Sequence, residues 1–252
     1  MVIVFVSQAQ NKILKISRYF PKDAQKYKDQ TNLNYSYGNG KYGKTELIIH
    51  CETDRSQYEF VLTKKIRSRK RTTQYKQGDV VRETFNLTKQ QWEYNKESIK
   101  HQKIKSEVDY ISDISDHDIY AFVLLQDHGS TVEKAVFKDF GNEVYWPEFK
   151  YAFCSAGDED KDGTPEFYLS YYASSDGLDD QEFKQIIYTV PTKGKNFVKS
   201  KATGIYPVDA EEIAGNYRIE YDAHWKQLPE AIKRKSRTIL KEFNRLQPSV
   251  RL

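Results

Sequence analysis

The sequence predicts an α+β fold that is mostly β: antiparallel sheets, a polar central helix and an amphipathic C-terminal helix. Three observations carry this. Aromatic residues make up 14% of the 252-residue chain, with 19 Tyr, while hydrophobic residues reach only 38%. A Tyr ring buries a large area and keeps a polar tip, which suits sheets with one wet face. Short apolar runs recur between Gly, Asp and Asn turns, and a clean helical stripe comes only near the end.

Taken in order, Met1 to Val6 is apolar, and Ser7 and Ala9 are small residues at the spacing a signal peptidase requires. Residues 1–9 thus read as the end of a truncated signal peptide, with a mature chain starting near Gln10. The alternative is an N-terminal strand over Val2 to Val6 or Ile13 to Ile16. Ser17 to Lys28 is mixed and breaks at Pro21. Tyr35 to Gly40 marks a turn. Glu46 to Cys51 and Gln57 to Leu62 read as strands joined by Thr53 to Ser56. Lys64 to Lys76 continues the second strand, and Gln77-Gly78-Asp79 turns into a strand over Val80 to Phe85. Thr88 and Gln91 fit a capping box, which opens a polar helix running to about Lys105.

Strands are expected over Asp118 to Leu125 and Val132 to Phe137, around His128-Gly129-Ser130. Glu143 to Phe153 reads as a further strand interrupted at Pro147, and Pro165 to Ser174 as another. Phe183 to Val190 and Asn196 to Ser200 suggest a hairpin, and Tyr217 to Tyr221 a short strand. Leu228 and Pro229-Glu230 open the last helix, where Pro is tolerated and an acid complements the dipole. Ile232, Ile239, Phe243 and Leu246 share one face of it, and Lys233, Arg234, Lys235, Arg237 and Lys241 make the rest basic.

The net charge of +4 hides a segregation. Residues 1–105 carry 22 basic and 10 acidic side chains, a net +12. Residues 106–190 carry 5 and 19, a net −14. Residues 191–252 carry 13 and 7, a net +6. Blocks of this size either steer partners or pack against each other. The sign change suggests a basic β-rich region with a helix over 10–105 and an acidic β-rich region over 106–252, which can also form one domain. No apolar run is long enough to span a bilayer. In an exported protein Cys51 and Cys154 could form one disulfide; in a reducing compartment they are expected as buried thiols.

The segment of densest chemistry is Asp158-Glu159-Asp160-Lys161-Asp162-Gly163-Thr164-Pro165-Glu166. Acids at alternate positions can converge on a hard cation while Gly163 takes a sharp turn. Position twelve, counted from Asp158, is Leu169, so this is not an EF-hand. The expected calcium ligands are the side chains of Asp158, Asp160, Asp162 and Glu166 and the backbone carbonyl of Thr164. The competing reading is a solvated acidic turn. A second acidic turn, Ser174 to Asp180, lies one strand-length away, roughly 30 Å, too far to share the ion.

Two other clusters stand out. Lys64 to Arg71 is strongly basic, and with Tyr58, Phe60 and Tyr75 it offers a nucleic-acid reading. The favoured reading is an exposed hairpin whose charged edges resist aggregation, or a face that docks an acidic partner. Asp113, Asp116, His117, Asp118, Asp127 and His128 offer acid–base or metal chemistry, against a polar stretch of strand whose neighbours point to opposite faces. No recognisable nucleophile, zinc or phosphate-loop motif is present.

The Asp-rich loop resembles the short calcium loop of FG-GAP (integrin-type) repeats, present once. Together with Tyr171-Tyr172, Ser175 to Asp179, Lys184, Ile186 to Tyr188, Tyr217 to Tyr221 and Leu228-Pro229, it makes the C-terminal 40% resemble a bacterial envelope family labelled surface-polysaccharide biosynthesis proteins. That resemblance implies the periplasm or cell envelope and no set of catalytic residues. The leading expectation is a non-enzymatic envelope protein with one calcium loop. It would bind a protein or polysaccharide through its charge-segregated surface, for instance as an immunity protein against a bacterial toxin. The alternatives are an enzyme acting on surface polysaccharide through the acidic block, with Asp176 and Asp179 among its candidate carboxylates, and a nucleic-acid-binding protein.

Overall fold

The computed structural model describes residues 13–29, 40–54, 56–96, 107–142, 144–175, 180–191, 196–207 and 217–246. Among the described residues, thirteen strands form two antiparallel sheets. The first holds β1 (Ile13–Tyr19), β2 (Lys44–Thr53), β3 (Gln57–Tyr75), β4 (Val80–Asn86), β5 (Gln91–Tyr94), β6 (Val108–Asp127) and β7 (Ser130–Phe140). The second holds β8 (Tyr145–Phe149), β9 (Ser155–Gly157), β10 (Glu166–Ser175), β11 (Gln181–Thr189), β12 (Val198–Tyr206) and β13 (Arg218–Tyr221). The helices are α1 (Pro21–Asp29), α2 (Ala223–Gln227) and α3 (Glu230–Leu246). Among the described residues, no helix is long and apolar enough to cross a membrane.

Period-two alternation explains the layering. Leu47, Ile49, Phe60, Leu62, Ile119 and Val123 of the first sheet meet Phe149, Phe167, Leu169, Ile186 and Tyr188 of the second in one buried core. The intervening residues Ile48, Val61, Phe122 and Leu124 point the other way, onto Ala24 of α1. On the second sheet, Tyr168, Tyr172, Phe183 and Ile187 take Trp225, Ile232, Ile239, Leu240 and Phe243 of α2 and α3. The order of layers is helix, sheet, sheet, helix.

β3 and β6 are 19 and 20 residues long and pair along their whole length. Their outer halves, with β4 and β5, contribute nothing to the three buried clusters and form an arm beyond the sandwich. The first sheet therefore takes strands from both sides of the charge change near residue 105.

Three expectations are corrected. Residues 87–90 form a turn, and Gln91–Tyr94 is a strand paired with β4, not the start of a central helix. Asn86 Oδ1 accepts from the N–H groups of Thr88 and Lys89, and Gln90 takes φ 56°, so the capping signal closes a hairpin. Residues 97–106 lie outside the described residues. Pro21 starts α1 instead of breaking the chain, since the first helical position needs no N–H. Leu246 is 61% exposed, and Leu240 takes its place in the buried stripe of α3. Residues 1–9 and the acidic turn 176–179 also lie outside the described residues.

Candidate metal centre

β9 and β10 form a hairpin in which Gly157 faces Glu166. Residues 158–165 make its loop, so Asp158 and Glu166 stand at the two feet of one turn. Lys161 (φ 62°) and Gly163 (φ 83°) both take left-handed backbone, which folds the loop back on itself. Backbone donors then fix the acids. Glu159 N–H donates to Glu166 Oε2 (2.9 Å), Asp162 N–H to Asp160 Oδ1 (3.2 Å) and Gly163 N–H to Asp158 Oδ2 (3.2 Å).

Asp158, Asp160 and Glu166 each place a carboxylate oxygen within 4.8 Å of the others. Asp162 stands outside that cluster, its Oδ1 accepting from Thr164 N–H (2.7 Å). Asp158 and Glu166 each use one oxygen on the loop backbone. The other oxygens, Asp158 Oδ1 and Glu166 Oε1, are buried with no hydrogen-bond partner among the described residues. Glu166 itself is 2% exposed.

Burial pushes the Glu166 carboxyl up to about 8, with Asp160, Asp158 and Glu159 adding to the shift and the Glu159 N–H opposing it. Asp158 is raised for the same first reason, against the donor from Gly163. Beneath the loop, the Cys51 thiol is pushed up to about 12, first by burial and then by Asp158, Glu59 and Glu166. The loop thus sits where β2 of the first sheet meets β9 and β10 of the second.

Cys51 and Cys154 share the inter-sheet core as two free buried thiols. Cys154 Sγ accepts from Ser170 N–H (3.4 Å).

The basic cluster of β3 is largely matched by the acids of β6. Arg67 bonds Asp116 (2.5 Å) and Asp118 (3.2 Å); Arg69 (2.9 Å) and Arg71 (3.1 Å) bond Asp113. Arg71 also lies 4.1 Å over the Trp92 ring. Strand alternation puts Asp113 on the face opposite Asp116 and Asp118, and Asp127 is at the far end of β6 beside His128. These carboxylates do not gather in one cleft; Asp176 and Asp179 lie outside the described residues. His117 is buried, its ring nitrogens 2.9 Å from Ser115 O and 2.8 Å from Pro147 O. It ties the two sheets together.

One polar cluster went unnoticed in the sequence. The Tyr27 hydroxyl donates to Glu59 Oε1, and His50 Nδ1 lies 2.9 Å from both. His50 is raised, first by the hydrogen bond to Glu59. The signal was present: a hairpin closed at Thr53 to Ser56 sets His50 opposite Glu59. Tyr27 arrives on α1, which the sequence did not reveal.

Compared with family models, with curated proteins and with solved structures, the chain matches none.

Proposed function

We propose that this protein binds one calcium ion in the β9–β10 loop and serves as a non-enzymatic binding protein of the bacterial envelope. The carrying observation is Glu166 Oε1, a carboxylate oxygen buried without a donor among the described residues and clustered with Asp158 and Asp160. A buried carboxylate needs a proton or a cation. A hard dication with oxygen ligands satisfies all three acids at once. The side chain of Asp162 and the carbonyl of Thr164 complete the proposed set. Bound there, the ion would join the two feet of the loop directly above the core shared by the sheets.

The non-enzymatic part is supported by the acids of β6, which Arg67, Arg69 and Arg71 hold in ion pairs. The same pairs count against nucleic acid, because they use up much of the cationic strip. The envelope location, and a protein or polysaccharide as partner, rest on the resemblance of the C-terminal motifs.

Calcium titration by calorimetry, with melting temperature in parallel, tests the site. The expected outcome is saturable 1:1 binding and a calcium-dependent rise in melting temperature, both lost in Asp160→Ala and Glu166→Gln. Absence of binding up to millimolar calcium would reduce the loop to an acidic turn holding a protonated Glu166.

A further inference from the structure

We infer that the cleft beside the uncovered edge of β3 binds a small ligand carrying phosphate or sulfate groups. On one edge, β3 is covered by β2 as far as Lys64, which pairs with Lys44. β4 takes over that edge at Lys70, which pairs with Thr84. Between them, residues 65–69 have no strand on that side among the described residues, while β6 holds the other edge and slips register at Arg67. The gap leaves a cavity of about 740 Å³, a size suited to a small molecule.

Its lining is unbalanced. Lys28, Lys44, Lys64, Lys65 and Arg69 contribute five cations, against Glu46 alone. Ile66, Phe85 and Leu87 add apolar surface. Lys64 meets Glu148 at 3.2 Å and Arg69 meets Asp113 at 2.9 Å. Lys28 is buried and donates to Thr45 Oγ1 at 3.1 Å. Lys44 and Lys65 have no carboxylate within 4.0 Å among the described residues, and Lys65 is half-buried. Among the described residues these two ammonium groups lack a carboxylate partner, and an incoming anion would take that place.

One wall is backbone. Gly43 has φ +81°, and a Cβ there would stand 2.1 Å from Lys64 O, so the Gly40–Gly43 turn lies flat on β3. A ligand of several oxygens and more than one negative charge suits a lining of several cations better than a single carboxylate does. A small ligand fits better than a polynucleotide, because Arg67 and Arg71 are already held by Asp116, Asp118 and Asp113. The cavity holds part of the net +12 of residues 1–105. It shares no residue with the β9–β10 loop, so this proposal and the calcium proposal fail independently.

The test is calorimetry on the full chain at low salt, with inorganic pyrophosphate and a heparin-type sulfated disaccharide as separate probes. Saturable 1:1 binding of either supports the proposal, and which one binds tells phosphate from sulfated sugar. Lys65→Gln and Lys44→Gln should each weaken it about tenfold. Lys241→Gln, on the exposed face of α3, should leave it unchanged. Circular dichroism melts confirm that the variants fold. The proposal is overturned if neither probe binds up to about 10 mM, or if both cavity variants bind as wild type. It is also overturned if a single-stranded oligonucleotide binds while both small probes fail.

Discussion

Glu166 holds a proton at neutral pH unless something displaces it. Its carboxyl rises from 4.5 to about 8 on folding, so the ion-free protein is stabilised below pH 4.5 relative to high pH. That contribution fades as pH climbs through about 8. His50 acts in the same sense: its raised value gives stability that is full below 6.5 and is lost as pH rises through the folded value. The ion-free melting temperature should therefore fall between pH 5 and pH 9, less steeply in Glu166→Gln and in His50→Ala. Calcium must expel the Glu166 proton. Apparent calcium affinity in wild type should rise with pH up to about 8, and binding near pH 7 should release about one proton, read from the buffer dependence of the calorimetric heat. A pH-independent affinity would show that Glu166 is not a ligand. The alternate acids and Gly163 were legible in the sequence. The position of Asp162 outside the cluster was not, because it depends on the left-handed backbone of Lys161.

Secondary structure elements were readable where packing agrees with local pattern. α3 was found from Ile232, Ile239 and Phe243, which the second sheet does bury. What seats it is less visible. Trp225 Nε1 donates to Ser236 Oγ at 2.9 Å, and the Ser236 hydroxyl donates to Gln185 Oε1, all three residues being buried. Ser236→Ala should lower stability by about 1–3 kcal/mol, since it leaves two buried polar groups unpaired, measured by denaturant unfolding. A smaller loss would mean that water replaces the hydroxyl. The predicted start of the central helix failed because its capping signal is local, while the forces that win are not. Phe85 and Trp92 pair across β4 and β5 with ring centroids 5.2 Å apart, and Arg69 and Arg71 stack on Trp92 from β3. A cross-strand aromatic pair is worth about 0.5–1.5 kcal/mol, similar to a capping preference of about 1 kcal/mol, and the ladder to β3 with its Arg stacking adds to it.

At the scale of the molecule, the sequence showed two charge blocks and left open whether they address a partner or each other. Pairing of β3 with β6 answers this for the arm: the basic and acidic runs lie side by side. Exposed pairs add little individually, so their main effect is on register and solubility. The mostly-β antiparallel architecture was visible in the alternation of Tyr and apolar residues. The four layers were not, because no local pattern tells which face of a doubly covered strand such as β10 meets a helix.

The β3–β6 ladder also fixes an order of events in synthesis. Gln57 pairs with Gln126 and Tyr75 with Val108, so the middle strand of the first sheet is made long before its principal neighbour leaves the ribosome. Until then one edge of β3 is bare. Its Lys and Arg residues guard that edge by mutual repulsion, which delays self-association of nascent chains. A fragment ending at residue 105 should stay largely unfolded by circular dichroism and clump as salt is added, whereas a fragment that adds β6 and β7 should gain strand signal. Folding of the fragment ending at 105 would show that the acidic strand is not needed to organise the sheet.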